Sequence, residues 1–205
     1  MIALAKSHAD WAWGFLDETW WSRFAQPGLH AWCAADDVLR LVEQVKDKED
    51  PDPQALACYG LLVRWAMPDQ EIEEHVWLRF VDGRPVSAIT IPFLAWCCAK
   101  LQALGKRVLA LVWDNASWHI SKTVRQWIRE HNRQVKAEGQ GVRILVCLLP
   151  VKSPWLNPIE PKWVHGKRQV VEPDRTLSAQ ELADRVCAAF GCDHEEHLSN
   201  SEKVT

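Results

Sequence analysis

Hydrophobic positions along this chain fall into short continuous runs separated by polar joints rich in Gly and Pro, and helical periodicity is concentrated in the second half. Trp11 to Asp17 (WAWGFLD) is aromatic and apolar, which predicts a buried strand ending in a carboxylate. Leu29 to Cys33 is a candidate partner strand, and the charged, proline-bearing stretch Glu43 to Gln54 predicts a loop. Leu56 to Trp65 and His75 to Val81 predict two more strands, the second closed by the turn Asp82-Gly83-Arg84-Pro85. Val86 to Leu104 has the length of a helix, provided that Pro92 lies in its first turns, with Gly105 as the stop. Arg107 to Trp113 (RVLALVW) is apolar on both faces, as a central strand requires, and runs directly into Asp114. Ser121 is placed to cap a helix to about Ala137, with Val124, Ile128 and Val135 on one face and Arg125, Arg129 and Arg133 along another. A strand over Arg143 to Leu149, a proline-punctuated turn from Pro150 to Pro158 leading into a helix, and an amphipathic helix from Ser178 to Phe190 complete the pattern.

Strands first, then alternating helix and strand, predict an α/β fold: a mixed sheet with helices on both faces, the order of a ribonuclease-H-like domain. The 205 residues, 48% of them hydrophobic, suit one packed domain, expected over residues 1–190 with a C-terminal tail over 191–205. Neither a signal peptide nor a membrane-spanning run is legible, so a soluble cytoplasmic protein without membrane contact is expected. Seven cysteines without framework spacing predict buried thiols and no disulfide.

Charge changes the picture through its distribution. The net charge is only −3, yet residues 115–171 hold ten Lys or Arg against three Glu, while the segments on either side are acidic. That basic block is the candidate nucleic-acid face. Three carboxylates stand at three predicted element ends: Asp17 in FLDETWW, Asp114 in VWDNASWH and Glu160 in SPWLNPIEPKW. Two like charges about 4 Å apart repel by roughly 4 kcal/mol at an effective dielectric of 20, so their convergence would require cations. Hard oxygen ligands on separate elements suit Mg2+ or Mn2+, and two such ions are expected. No G-x-S-x-G elbow, phosphate-binding loop or dinucleotide fingerprint offers a competing chemistry.

The stretch Asp114-Asn-Ala-Ser-Trp-His119, followed by Leu149-Pro-Val-Lys-Ser-Pro-Trp-Leu-Asn-Pro-Ile-Glu160, resembles the catalytic core of bacterial insertion-sequence transposases related to Tc1/mariner. Leu16-Asp-Glu-Thr-Trp-Trp and Leu29-His30-Ala31-Trp32 are similar to that family's first-strand region, so the resemblance covers about residues 11 to 170. It implies a DDE-type transposase in which Asp17, Asp114 and Glu160 bind the metal, double-stranded DNA (transposon ends and target) is the substrate, and the full-length protein is a homodimer associated with the nucleoid. Members of the family carry a helix-turn-helix region ahead of the first Asp, and sixteen residues precede Asp17 here, so an amino-terminally shortened chain is expected. The 45 residues between Asp114 and Glu160 exceed the family's usual spacing, which a longer helix and the loop Glu138-Gly139-Gln140-Gly141 would absorb.

Blander readings stand beside these. Glu18, Asp10, Asp36, Asp37 and Asp82 are rivals for the first carboxylate, and Asn157 with Glu160 also has the pattern of a helix cap. Asn115, His119 and Asn157 are supporting residues, His119 being equally consistent with a structural histidine. Lys122, Arg125, Lys152, Lys162, Lys167 and Arg168 are candidates for phosphate contact, although Lys122 and Arg125 also suit a solvated helix face. Most of the thirteen tryptophans are expected in the core, with Trp155 the candidate for stacking on a base. Cys187, Cys192, His194 and His197 (C-x4-C-x-H-x2-H) lack a standard zinc spacing and are expected to be a helix end and tail. Two rivals to an active transposase remain: an inactive remnant that at most binds DNA or a partner, and a nuclease of the same fold acting on RNA–DNA hybrids.

Overall fold

The computed structural model describes residues 1–24, 46–69, 71–170 and 175–199. The candidate strand at Leu29 to Cys33, the Leu29–Trp32 motif, and Asp36 and Asp37 lie outside them. Eleven elements follow in order: α1 (Ile2–Lys6), β1 (Trp11–Ser22), β2 (Ala55–Ala66), β3 (Ile72–Val81), α2 (Ser87–Ala103), β4 (Val108–Trp113), α3 (Lys122–Glu138), β5 (Arg143–Leu148), the 3-10 turn Pro154–Leu156, α4 (Glu160–Val170) and α5 (Ala179–Phe190). The five strands form one sheet in the order β3-β2-β1-β4-β5. β2 is antiparallel to both neighbours, whereas β1, β4 and β5 run parallel. The mixed sheet arises because β2 doubles back antiparallel to β1, with no helix among the described residues between the first three strands, and the later pair are reached through α2 and α3.

Alternation along each strand divides the core in two. Ala12 and Leu16 of β1, with Leu109, Leu111 and Trp113 of β4, face a layer that includes Phe93, Leu94 and Cys97 of α2 and Val124 and Ile128 of α3. Trp13, Phe15 and Trp21, with Ala110 and Val112, face Trp163 and Val170 of α4, Leu182 and Val186 of α5, and Ala5 of α1. β4 is buried at every position, which accounts for its unbroken apolar sequence.

Local chemistry sets the helix ends. Ser121 accepts a hydrogen bond from the Val124 amide, and α3 stops at Gly139 in the left-handed region (φ 67°). Ser178 caps α5 in the same way through the Glu181 amide. Pro92 sits inside α2, in its second turn, close enough to the start for few backbone bonds to be affected. The 17 residues of α3 and the turn after it supply the extra length between Asp114 and Glu160.

Three features depart from the sequence reading. β1 does not end at Asp17 but continues to Ser22, because β2 pairs with it all the way to Ser22↔Ala55. Only the parallel pairing with β4 stops early, at Phe15↔Val112. The short helix α1 is additional, its Ala5 fully buried against the sheet. Residues 191–199, after α5, are docked on the sheet: Leu198 is buried, its amide donates to the Phe80 carbonyl at 2.8 Å, and its carbonyl accepts from the Asp82 amide at 2.9 Å. All six described cysteines are free, and Cys97 and Cys98 are buried in α2, where burial pushes the Cys98 thiol up to about 12. No helix among the described residues is long and apolar enough to cross a membrane.

Gly60, in the middle of β2, has a packing reason to be glycine. A β-carbon there would stand 2.2 Å from the Trp163 indole and 3.1 Å from Ile159, so its absence lets α4 lie against the sheet. Gly60→Ala should therefore displace α4 and destabilise the fold by about 1–3 kcal/mol in urea unfolding. An unchanged midpoint would mean that α4 does not pack there.

Candidate active site

Asp17 and Glu18 are neighbours on β1, and their side chains leave opposite faces of the sheet. Each anchors a different cluster. On the α4 face, the Trp163 indole N–H donates to Asp17 Oδ2 at 3.0 Å. Asn157, buried in the turn before α4, donates from its amide to the Leu16 carbonyl at 3.1 Å, pinning that turn to the residue ahead of Asp17. Its own carbonyl accepts from the Glu160 amide at 3.1 Å. Asn157 thus acts as a strap between strand and helix rather than as a plain cap, and Glu160 opens α4 with Pro161 in the first turn, where no N–H is required.

The strap brings Glu160 within electrostatic reach of Asp17. Burial is the largest cause of a raised Asp17 pKa, the charges of Glu160 and then Glu18 add to it, and together they push it up to about 7 despite the Trp163 hydrogen bond. Asp17 is therefore a carboxyl group that holds its proton well above the usual range unless positive charge arrives.

On the other face, His119 bridges two carboxylates: Nε2 donates to Glu18 Oε1 at 2.7 Å and Nδ1 donates to Asp114 Oδ1 at 2.7 Å. The Trp118 indole donates to the second oxygen of Glu18 at 3.2 Å, and the His119 ring stacks on Trp113 at 4.7 Å and 6°. Burial alone would lower the imidazole pKa, but the hydrogen bonds to Asp114 and Glu18 outweigh it and raise it to about 9. His119 is thus an imidazolium at neutral pH. It holds the Asp114 carboxyl below the ordinary range by the same hydrogen bond, helped by the Ala116 amide.

Asp114 and Asp17 each stand two residues beyond the last β1–β4 pair, Phe15↔Val112, so their backbones leave the ladder side by side. Their carboxyl groups are turned differently: that of Asp17 lies against α4 and that of Asp114 against His119. The structure accordingly brings Asp17 and Glu160 together and ties Asp114 to Glu18 through His119. Among the described residues no group of three His, Cys, Asp or Glu is placed to hold a metal ion. The donor chemistry nonetheless fits a hard divalent cation, because a half-buried, repelling carboxylate pair lacks positive charge and half of the Asp114 side chain (49%) is exposed.

Asp114 lines a depression of about 340 Å3 with Asn115, Leu149, Lys152 and Ser153. Asn115 closes its floor by donating to the Leu149 carbonyl at 2.7 Å, so its role here is to hold the ends of β4 and β5 together. A larger groove, about 600 Å3, lies between β3, α4 and α5 and contains none of the three carboxylates. Around the smaller depression Lys152 is exposed with φ 58° and Trp155 is 74% exposed. Lys122 and Arg125 are exposed on α3, and Arg125 lines a hollow with His119. Lys162 is engaged by Glu74 at 2.7 Å, Lys167 lies over the Trp21 ring at 5.9 Å, and Arg168 is exposed on α4.

Residues 84–183 match the family model described as a DDE superfamily endonuclease. That stretch resembles a DDE superfamily endonuclease domain. The match takes in Asp114 and Glu160, while Asp17 lies ahead of it. Among solved structures, the chain is similar to the Mos1 transposase paired-end complex with left transposon end, with a TM-score of 0.62 and 15% identity over 92% of this chain and 49% of that one. It is similar also to the Mos1 strand transfer complex (TM-score 0.57, 13% identity, 90% and 48% covered) and to the Mos1 mariner paired-end complex with Mn (0.55, 15%, 91% and 49%). These likenesses establish the ribonuclease-H-like fold, and this chain spans about half the length of those chains. No curated protein matches.

Trp163 and Gly60 were not legible as site residues, although both left a trace. Trp163 lies three positions after Glu160 and so shares its helix face, and a lone Gly in the apolar run LACYGLLV marks close backbone approach. Asp17→Asn should remove the buried like-charge repulsion. The wild-type carboxyl is protonated in the fold up to about pH 7 and ionises near 3.8 when unfolded, so its stability falls relative to the variant as pH rises from about 4 to 7. Metal-free unfolding at pH 5 and pH 8 should show the variant gaining on the order of a few kcal/mol at the higher pH. Parallel curves would place Asp17 in water.

Proposed function

We propose that this chain is the catalytic part of a DNA transposase, hydrolysing a phosphodiester bond at an element end and then joining the freed 3′-hydroxyl to target DNA. The observation that carries the reading is the Asp17–Glu160 pair. Two carboxylates are held at close quarters inside a DDE endonuclease fold by an asparagine strap and a tryptophan hydrogen bond, and burial with like charge raises the pKa of one of them to about 7. Functional sites are where such shifts accumulate.

Asp17, Asp114 and Glu160 would hold two Mg2+ ions, with Mn2+ able to substitute. When bound, such ions lower the pKa of a water or 3′-hydroxyl and neutralise the leaving oxygen. The rest belongs to the side chains. Asn157 keeps the Glu160 end of α4 against β1, and Trp163 orients Asp17 while excluding water from one side of it. His119 fixes the carboxyl of Asp114 from behind, and Glu18 is the counter-charge that keeps His119 in place. No side chain is required as a covalent nucleophile.

Duplex DNA, both transposon end and target, is the proposed partner. Lys122 and Arg125 of α3 and Lys152 beside Asp114 offer exposed positive charge on the site's side, with Trp155 free to stack. Lys167 and Arg168 add exposed positive charge on α4, which packs on the other face of the sheet from α3. Lys162 contributes less, its charge being committed to Glu74. The full-length protein is proposed to act as a homodimer in the cytoplasm, at the nucleoid, with residues 1–190 as the catalytic unit.

A second reading, a folded remnant without catalysis, is favoured by one observation: Asp114 is bound to His119 instead of meeting Asp17 and Glu160. Nicking of a supercoiled plasmid separates the two. With Mg2+ or Mn2+ the chain should nick duplex DNA, and Asp114→Asn or Glu160→Gln should reduce the rate at least 100-fold, the scale of losing one strong transition-state contact. A rate equal in wild type and both variants would leave the remnant reading, and cleavage confined to RNA–DNA hybrids would assign a different nuclease.

A further inference from the structure

The segment after α5 carries a second group of metal-ligating side chains, remote in sequence and role from the three carboxylates. His194 and His197 face one another, their Nε2 atoms 3.3 Å apart. Each turns its other nitrogen to a carboxylate: His194 Nδ1 donates to Asp184 Oδ1 at 2.7 Å, and His197 Nδ1 donates to Asp82 Oδ1 at 2.8 Å. Asp184 is steadied in turn by the Gln180 amide at 3.0 Å. The backbone is fixed on either side, since Leu198 pairs with Phe80 and Asp82, and the Glu196 carbonyl accepts from Arg79 Nε at 2.9 Å. Phe80 supplies an apolar wall, its ring 5.7 Å from His194 and 5.5 Å from His197.

With both Nδ1 atoms donating to carboxylates, a neutral imidazole presents only a lone pair at Nε2. Two such lone pairs aimed at each other need a cation between them. A shared proton is one such cation, giving at 3.3 Å a hydrogen bond longer than the ordinary value of about 2.9 Å. Zinc–nitrogen bonds of about 2.0–2.1 Å at a tetrahedral angle instead set two ligand nitrogens about 3.3 Å apart. A carboxylate on the far nitrogen of each histidine is the usual arrangement around metal-bound imidazole, where it fixes the tautomer and the ring orientation.

We propose that His194 and His197 bind one transition-metal ion of the zinc class, oriented by Asp184 and Asp82. No third His, Cys, Asp or Glu among the described residues joins them, so the remaining coordination positions belong to water or to a ligand from outside. The Cys192 thiol is directed to the Cys187 carbonyl at 3.7 Å. The site would clip the segment 191–199 to the end of β3, which Asp82 follows, and to the middle of α5, which carries Asp184.

Zinc chloride titrated calorimetrically into the full chain tests this, in an Asp114→Asn background that weakens uptake at the carboxylates. One equivalent should bind and should disappear in His194→Ala/His197→Ala. Asp82→Asn with Asp184→Asn should weaken it 10- to 100-fold. Long-range 1H–15N spectra of the chain with wild-type histidines should show zinc shifting Nε2 of both rings while Nδ1 stays protonated. Equal zinc uptake by the double histidine variant, or spectra in which zinc leaves both Nε2 resonances unmoved, would overturn the proposal and leave a hydrogen-bonded histidine pair.

Discussion

Asp17 lies in the middle of β1, buried against the Trp163 indole, with Glu160 and Glu18 close enough to add their charge to the cost of ionising it. Much of the surrounding architecture serves to hold that unfavourable arrangement. Gly60 removes a side chain so that α4 can approach, Asn157 ties the turn before α4 to the strand, and Trp21, Trp163 and Phe190 pack edge-on behind them. A carboxyl pair that the fold strains to keep together lowers its free energy by binding positive charge, and this is the physical root of the catalytic reading.

The adjacent residue, Glu18, extends the arrangement through the sheet. Because neighbouring side chains on a strand leave opposite faces, one dipeptide controls both clusters: Asp17 meets α4, and Glu18 meets the imidazolium of His119, which in turn grips Asp114. A change at Glu18 would thus reach Asp114 without touching it. Arg125 and Arg129 of α3 line a hollow with His119, and Lys152 lines a depression with Asp114, so positive charge stands beside that cluster.

The sequence was most informative where a single residue type satisfies one strict requirement. The unbroken apolar run before Asp114 read as a doubly covered strand and is one, and the Ser121 cap stands where the local pattern put it. It was least informative where the deciding contact comes from far along the chain. The extent of β1 depends on pairing with β2, so Asp17 looked like a strand end although the strand runs five residues further. His119 was equally consistent with a structural residue and a site residue, and its environment gives it both characters. The histidines after α5 match no standard zinc spacing, and the carboxylates that hold their rings, Asp82 and Asp184, come from other parts of the chain.

The central claim is that Asp17, Asp114 and Glu160 share divalent cations, and anomalous diffraction from crystals grown with Mn2+ tests it most directly. The account predicts manganese peaks bonded to oxygens of all three residues, with the Asp114 carboxyl drawn toward Asp17. Peaks confined to other surfaces, with Asp114 still bound only to His119 and Asp17 against Trp163 alone, would contradict it.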